Sequence, residues 1–402
     1  MRRTPVLLAA AAGALLAPGA ALVAQRAPSA PFTLTLSRPD AEYEEPFSSI
    51  AGVRELRDGR LVVADRIEKS IQLVDLAAGT ATRIGAEGGG PNEYRMPFSA
   101  FALPGDSTLV FDAGNLRYVV IAPSGTIART FTPAQDAGGP MSLLNARGVD
   151  AEGNLYFLDR GLRTPSADGR AFSGSFQTPD SGTVMRYDLK SGRTEPVARV
   201  ALAKMNVTAS GGGGEQRVMV RSSNPFTAQD DWTAGLDGRI AVVRHDPYRV
   251  EWLAPNGQRV VGPTLSYTPI PVTEKDREEV RTRANNPANR VMIAIGGPGG
   301  ATNAAPRPPA SAPADFSDWP EVKPPFAANA ASVAPDGRLW VLRSRAAGDQ
   351  VPSYDVFDSY GKQVGTVKLP ANTRLIGFGR NSAYVIRTDD DDLQYLQRFK
   401  LF

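Results

Sequence analysis

The chain has 402 residues, with 45 Lys and Arg against 42 Asp and Glu, a formal charge of +3, one histidine and no cysteine. With 42% hydrophobic residues it can form a large core, which excludes disorder as its dominant state. The missing cysteines exclude thiolate catalysis, disulfides, iron–sulfur clusters and zinc sites that need sulfur, and one histidine excludes any site that needs two. The near balance of charge gives no general attraction to nucleic acid or acidic lipid.

Residues 1–24 have the composition of a secretory signal peptide. Two arginines follow Met1 and precede an apolar stretch from Val6 to Ala24 that is rich in Ala and Leu, which is the order of a cleaved signal. A transmembrane anchor is the alternative, because this length approaches the thickness of a bilayer, but Pro18 argues against it. We therefore predict a secreted or periplasmic bacterial protein with no stable membrane span after cleavage, and leave the export route open.

A small turn followed by an apolar strand recurs six times. The turns begin at Asp58, Gly105, Glu152, Asp237, Asp336 and, in a divergent copy, Arg380. Asp-Gly and related pairs supply the positive φ that a tight hairpin turn needs, and the β-branched and aromatic residues that follow are typical of a buried strand. Each copy therefore predicts a β-hairpin.

A second turn follows each of the first five hairpins at a similar offset. These later turns contain Gly79, Gly125, Gly192, Gly257 and Gly361. The distance between the two turns of a unit leaves room for a four-stranded antiparallel meander, and Gly59 lies 46 residues before Gly105, near the period of a propeller blade. We predict an all-β, six-bladed β-propeller over residues 31–402, with a β-sandwich as the structural alternative.

The two ends of the chain are predicted to meet in one blade. The last unit, roughly 374–402, has only three strands, whereas Phe32–Leu36 alternates with the period of two that a strand requires. We therefore predict that this N-terminal strand completes the sixth blade, because pairing the two ends removes the exposed edge of an open array.

An insertion is predicted at 273–325, between blades four and five. It opens with a capping residue, Thr273, and good helix formers. Residues 296–325 follow and are rich in Pro, Ala and Gly, which predicts an excursion outside the packed sheets.

The segment Arg83–Tyr94, followed by Met96 and Pro97, resembles the inter-blade signature of NHL-like six-bladed β-propellers and of secreted bacterial six-bladed β-propeller proteins. The resemblance covers about residues 31–402 apart from the insertion and implies the fold. It implies no shared catalytic residues: NHL-type blades elsewhere mostly bind protein or nucleic acid, whereas gluconolactonase-like and amidating-lyase-like propellers place metal ligands in the central channel. Fold alone does not decide between these functions.

Three conspicuous sequence features have structural interpretations. The glycines from Gly85 to Gly90 lack the Gly-Lys-Ser/Thr ending of a phosphate loop and predict a turn. The acidic run Asp389–Asp392 could bind calcium, but it falls where a hairpin turn is required. His245, the one histidine, occupies the strand-end position that carries Arg66 or Arg160 in other blades, so we interpret it as a surface residue.

Polar residues are predicted at the entrance of the central channel. The first strand of each blade lines the axis, so the residues six to eight places before the glycine turn face its entrance. This rule selects Asn145, Arg147, Asp230, Asp231, Trp232, Asn329 and, by analogy, Arg374. Such residues would suit a polar or anionic ligand, although they could equally hydrate a water-filled channel.

The sequence favours a binding module that recognises a protein, peptide or glycan and needs no cofactor, because no complete catalytic set is present. The alternative is a calcium-dependent hydrolase or lyase that uses Asp231 and asparagines in the channel. It requires three or four oxygen ligands, and blades one and two supply only Gly52, Val53, Phe98 and Ser99 there. An accessory subunit of an envelope complex is a third possibility.

Overall fold

The computed structural model describes residues 30–133, 146–161, 174–204, 206–210, 217–221, 224–285 and 319–401. The predicted signal peptide (1–24) and residues 286–318 of the predicted insertion lie outside this part of the chain.

Six antiparallel sheets follow one another along the chain and form the blades of a β-propeller. Strands are numbered β1 to β32 in chain order. Blade one contains β3 (Ile50–Glu55), β4 (Leu61–Asp65), β5 (Ser70–Asp75) and β6 (Thr80–Arg83). Blade two contains β9 (Pro97–Ala102), β10 (Thr108–Asp112), β11 (Arg117–Ile121) and β12 (Ile127–Phe131). Blade three contains β13 (Ala146–Val149), β14 (Asn154–Asp159), β16 (Ser181–Asp188) and β17 (Thr194–Ala201).

Blades four to six complete the ring. Blade four contains β20 (Asp231–Ala234), β21 (Ile240–His245), β22 (Tyr248–Leu253) and β23 (Arg259–Val261). Blade five contains β26 (Phe326–Val333), β27 (Leu339–Arg343), β28 (Ser353–Phe357) and β29 (Gln363–Lys368). Blade six contains β30 (Thr373–Phe378), β31 (Ser382–Thr388) and β32 (Gln394–Lys400). The predicted fold class is confirmed.

The remaining elements extend or connect the blades. They are the N-terminal strands β1 (Phe32–Thr35) and β2 (Ala41–Glu42), the parallel pair β7 (Ala86–Glu87) and β8 (Glu93–Tyr94), a 3-10 turn at Pro104–Asp106, a small sheet of β15 (Gly174–Gln177), β18 (Asn206–Ser210) and β19 (Arg217–Arg221), the pair β24 (Ile270–Pro271) and β25 (Val322–Lys323), and helix α1 (Glu274–Asn285).

The glycine turns are where the sequence places them. Gly59 and Gly238, in first hairpins, have φ of 91° and 74°, and Gly257, in a second turn, has φ of 84°. A side chain at these left-handed positions would be strained, so the glycines are sufficient to predict the turns from the sequence.

The hydrophobic core is divided among the blade interfaces. Leu61 and Val63 pack against blade six, whereas the intervening Val62 packs against blade two, and all three are fully buried. Successive side chains of a strand point to opposite faces, so a second strand covered on both faces has an unbroken apolar sequence. A comparable cluster fills the interface between blades five and six.

The N-terminal segment closes the ring, as predicted, but with a different division of residues. Ala41 and Glu42 of β2 pair antiparallel with β32 and provide the fourth strand of blade six. The predicted closing strand, Phe32–Leu36, lies one blade earlier: β1 pairs parallel with β29 and adds a fifth strand to blade five. An alternating strand can pair with the outer strand of blade five or with that of blade six. Because the N-terminal segment passes blade five first, β1 pairs there and the next strand, β2, pairs with blade six.

The insertion begins and ends on a short β-ladder beside blade five. Strands β24 and β25 pair antiparallel and bring the two ends of the insertion together. Thr273 caps α1 as predicted: its Oγ1 accepts the backbone N–H of Asp276 over 3.3 Å, and its own backbone N–H donates to Asp276 Oδ2 over 2.8 Å. Lys323 forms a buried ion pair with Asp276, and its Nζ also donates to the carbonyl of Arg345.

No helix in the described part of the chain has the length and apolar character that a membrane crossing requires.

We expect ring closure to depend on Phe47 more than on β1. Phe47 is 3% exposed, packs between blades six and one, and exchanges two backbone hydrogen bonds with Gln394. Phe47→Ala should lower the free energy of unfolding by about 3–4 kcal/mol through the cavity it leaves, whereas Leu34→Ala, at a partly buried position, should cost about 1 kcal/mol. Urea denaturation of both variants measures this difference, and equal losses would show that β1 contributes as much to the stability of the ring as Phe47 does.

Candidate functional site

One end of the channel is formed by the starts of the inner strands and by the turns after the second strands; we call it the channel mouth. Buried carboxylates fix its backbone. The N–H of Ser49 donates to Asp65 Oδ2 over 2.9 Å, and that of Met96 donates to Asp112 Oδ1 over 3.0 Å. Blades one and two thus tie the start of the inner strand to the end of the second strand, so side chains at this end are held in defined positions.

Arg147, Asp231 and Asn329 meet at the channel mouth and join blades three, four and five. The Arg147 guanidinium forms an ion pair with Asp231 and donates to the side-chain oxygen of Asn329. The other carboxylate oxygen of Asp231 accepts the backbone N–H of Ala331 over 2.8 Å. We call these three residues the mouth cluster. The Asp231 side chain is almost fully buried, and its negative charge is neutralised by Arg147 within the protein.

Asn329 reaches the cluster through a bulge in the inner strand of blade five. Phe326 pairs with Arg343 and Ala331 with Val341, so four residues of β26 lie opposite a single residue of β27. Asn329 has φ of 56°, a left-handed conformation that asparagine tolerates better than most residues. The bulge carries its side chain into the channel mouth, away from the core.

Trp232 and Asn145 complete the predicted set only in part. The Trp232 ring lies under the guanidinium of Arg147, 5.5 Å from its centroid, and is 1% exposed, so it packs between blades three and four. The backbone carbonyl of Trp232 accepts a hydrogen bond from Arg147 over 2.7 Å. Asn145 lies outside the described residues.

Arg374 is at the channel mouth but is not part of the mouth cluster. It starts the inner strand of blade six, and its Nη2 donates to the carbonyl of Ile50 over 2.8 Å. The Arg374 residue is exposed to solvent. Partial desolvation by the protein atoms around it lowers the pKa of Arg374, and repulsion from Arg66 lowers it further, although Tyr354 acts in the opposite direction.

Sequence reasoning missed Arg160 as a site residue. Arg160 follows the second strand of blade three and is half-buried; burial lowers its pKa, and repulsion from Arg147 adds to the effect. From the sequence, this position at the end of a strand is interpreted as surface. A polar residue nevertheless recurs there, because Arg66 in blade one and His245 in blade four also follow the second strand, and this recurrence could have pointed to Arg160.

His245 lies at the end of the second strand of blade four, as the sequence predicts, and its side chain is 25% exposed and contacts Asp230. Its ring Nδ1 lies 2.8 Å from Asp230 Oδ1, and Arg244 Nη1 donates to the other oxygen of the same carboxylate over 2.7 Å. Burial alone would raise the pKa of Asp230, but the hydrogen bonds from His245, the backbone of Ala201 and Arg244 outweigh it and lower the pKa to about 2.

A shallow cleft lies beside this carboxylate. It encloses about 240 Å³, counted to its open mouth, and lies between the start of blade four and the bulge of blade five. Asp230 and Asp231 line one wall, and Phe326 and Ala328 line the other. The cleft therefore adjoins the mouth cluster on the side from which the insertion leaves.

The glycine-rich segment and the acidic run form the turns that the sequence predicts. Arg117 donates to the carbonyls of Gly90 (2.7 Å) and Glu93 (2.8 Å), so the segment presents carbonyl oxygens, whereas a phosphate loop presents N–H groups. Asp389 Oδ1 accepts the backbone N–H groups of Asp391 and Leu393, which folds the acidic run into a tight exposed turn.

No protein-family model matches the chain, and no curated protein matches it. Among solved structures, it is similar to a member of the DUF4221 family from Bacteroides vulgatus (11% identity, TM-score 0.45, 90% of this chain and 93% of that one). It is also similar to the calcium-binding protein regucalcin from Agrobacterium tumefaciens (12%, 0.39, 91% and 96%) and to virginiamycin B lyase from Staphylococcus aureus (10%, 0.40, 91% and 99%). All three scores lie below 0.5, so the likeness carries no argument about the function of this chain.

We expect the pair of Arg147 and Asp231 to be strongly coupled. Replacing either residue alone leaves a desolvated charge or an unmatched donor, so a double-mutant cycle with Arg147→Met and Asp231→Asn should give a coupling free energy of about 1–3 kcal/mol. The exposed hairpin pair of Arg239 and Asp237 is the matched control and should give about 0.5 kcal/mol or less. Equal coupling in the two cycles would contradict a structural role for the mouth cluster.

We expect Asp230 to stabilise the protein in a pH-dependent way. The carboxylate stays ionised to about pH 2 in the folded state, against an ordinary pKa of 3.8. Its contribution, about 2 kcal/mol, is therefore complete above about pH 4 and is lost as the pH falls to about 2. Asp230→Asn should be less stable than wild type at neutral pH, with the difference shrinking as the pH is lowered in urea denaturation. Asp237→Asn should show no such convergence.

Proposed function

We propose that the protein is a secreted or periplasmic binding module that holds an anionic group of a protein, peptide or glycan at the channel mouth. The observation that carries this proposal is Arg374. Its guanidinium is exposed to solvent, donates to the neutral oxygens of Ile50 and Gln394, and forms no ion pair with a carboxylate of the described residues. A guanidinium that is oriented in this way and not neutralised can form charge-assisted hydrogen bonds with an incoming anion.

Arg160 supports the same proposal from blade three. It too is desolvated, and no carboxylate of the described residues forms an ion pair with it. The charge of the neighbouring Arg147 is neutralised by Asp231, so on this side Arg160 is the cation that pairs with no carboxylate of the described residues. An incoming carboxylate, sulfate or phosphate group would be attracted to both sides of the mouth.

The alternative of a calcium-dependent hydrolase or lyase receives no support from the donor set. Within the described residues, no group of three or more His, Asp and Glu side chains is arranged to hold a metal ion. Asp231, the carboxylate that the alternative needs, already bonds to Arg147 and Ala331.

We therefore expect the same melting temperature with added calcium chloride and with EDTA, since no described carboxylate cluster gains from the metal. Differential scanning fluorimetry at fixed ionic strength measures it, with magnesium chloride as the control for divalent salt. A rise in calcium alone would favour the metal-dependent alternative.

Binding of an acidic peptide tests the proposed function. Hexaglutamate should bind in isothermal titration calorimetry, more weakly as salt is added, whereas hexaglutamine should not bind. Arg374→Gln should weaken binding about ten-fold, because it removes a guanidinium that no carboxylate neutralises.

The matched control is Arg380→Gln. Arg380 lies on the same blade but at the opposite end of the channel, where it donates to the carbonyl of Arg57. Its replacement should leave the affinity unchanged. If both variants weaken binding alike, or if hexaglutamine binds as well as hexaglutamate, the channel mouth is not an anion site.

A further inference from the structure

Blade four carries a cluster of arginines around one carboxylate, outside the channel. The side chain of Glu251 on β22 is fully buried and accepts hydrogen bonds from three guanidinium groups. Arg249 Nε and Nη2 lie 2.9 and 2.8 Å from its Oε1. Arg244 Nη2 and Arg259 Nη2 lie 2.9 and 2.6 Å from its Oε2. We call these four residues the blade-four cluster.

The blade-four cluster carries more positive than negative charge. Arg244 has a second carboxylate partner, since Asp230 Oδ2 lies 2.7 Å from its Nη1. Arg249 and Arg259, by contrast, form ion pairs only with Glu251 among the described residues. Burial alone would raise the pKa of Glu251, but the hydrogen bonds from the three arginines outweigh it and lower the pKa, so this carboxylate is ionised. Three guanidinium groups therefore share two carboxylates.

Blade three covers only the inner part of this face of blade four. Glu251 pairs across the sheet with Val242 on β21 and with Val261 on β23, so these three side chains point to the same face. Val242 is fully buried in the interface with blade three, whereas Val261 is 53% exposed. Arg259 lies two residues before Val261 on the same face, and its side chain is half exposed. The outer part of the face, with its excess of positive charge, is thus open to solvent.

An exposed tyrosine adjoins the outer part of this face. Gly262, which follows Val261, approaches blade five so closely that a Cβ at this position would lie 2.3 Å from the carbonyl oxygen of Gly361. Tyr360 precedes Gly361 and is 71% exposed. Arginine and tyrosine are enriched at protein interfaces, where a large side chain gains from burial against a partner.

The arginines keep donors for a partner. Arg259 bonds to Glu251 through Nη2, and Arg249 does so through Nε and Nη2. Nη1 of both guanidinium groups thus has no partner in the part of the chain that the structure describes, and the contact with Glu251 already orients each group. An incoming carboxylate can therefore form charge-assisted hydrogen bonds with them.

We propose that the outer face of blade four is a docking surface for an acidic segment of another protein, and that the surface consists of Arg249, Arg259, Val261 and Tyr360. Carboxylates of the partner pair with the two arginines and offset the excess charge, while an apolar side chain between those carboxylates covers Val261 and Tyr360. The surface lies on the outer strands of the blade, whereas the inner strands form the channel mouth, so this proposal does not depend on the proposed function.

Capped peptides test the docking surface in an Arg374→Gln background, which removes the arginine proposed to bind anions at the channel mouth. Titration calorimetry at constant ionic strength compares the peptides EELEE, EESEE and QQLQQ. EELEE should bind about five- to ten-fold more tightly than EESEE, because its leucine is buried against the surface, and QQLQQ should not bind.

Variants assign the contacts. Arg259→Gln should weaken binding of EELEE about ten-fold, because it removes one partner of the peptide carboxylates and leaves Glu251 two arginines. Val261→Ser combined with Tyr360→Ser should bind EELEE no more tightly than EESEE. The matched control is Arg338→Gln, which removes a partly exposed arginine paired with Asp336 and should change neither affinity. Melting temperatures of all variants are measured first.

Three results would overturn this proposal. The first is an Arg259→Gln variant that binds EELEE as its parent does. The second is tighter binding of tetragalacturonate than of EELEE, which would assign the surface to an acidic glycan. The third is self-association in sedimentation velocity that Arg259→Gln abolishes, which would assign the surface to a second copy of the chain. None of them affects the proposed function, which is decided by hexaglutamate binding and Arg374.

Discussion

The structure depends on a packing constraint: sheets that are apolar on both faces must be covered on both faces. Val62 and Val63 are adjacent in sequence, yet one packs against blade two and the other against blade six. A sheet at the end of an open row would expose one such face to water. The closed ring removes that exposure, and Tyr43 and Phe47 of the N-terminal segment fill the interface where the two ends of the chain meet.

Closure also determines which polar residues can meet. Arg147 contacts Asp231, 84 residues later, and Asn329, 182 residues later, because blades three to five turn their inner strands toward one axis. A residue at the start of an inner strand has little choice of partner: it faces the axis or the start of the neighbouring strand. The mouth cluster is thus a consequence of the ring, and its charged side chains pair between neighbouring blades and not within one blade.

The sequence predicted positions that depend on counting from a turn and missed those that depend on neighbours. Arg147, Asp231 and Asn329 were found because the distance from a glycine turn fixes the height along an inner strand. The surroundings of Arg160 and His245 were not predicted because they are set by adjacent strands, as the contact of His245 with Asp230 illustrates. Likewise, the alternation in Phe32–Thr35 predicts a strand but not the edge it joins, and the two residues of β2 are too few to show any period.

Two arginines of the same channel wall differ in whether a carboxylate neutralises them. Arg147 is paired with Asp231 and stacked on a buried Trp232, so its charge contributes mainly to holding blades three, four and five together. Among the described residues, Arg374 donates only to neutral oxygens, so no described carboxylate cancels its charge. A carbonyl orients a guanidinium without neutralising it, whereas a carboxylate does both. The ring can maintain such an unneutralised cation because the six apolar interfaces, and not the channel, supply the free energy of folding.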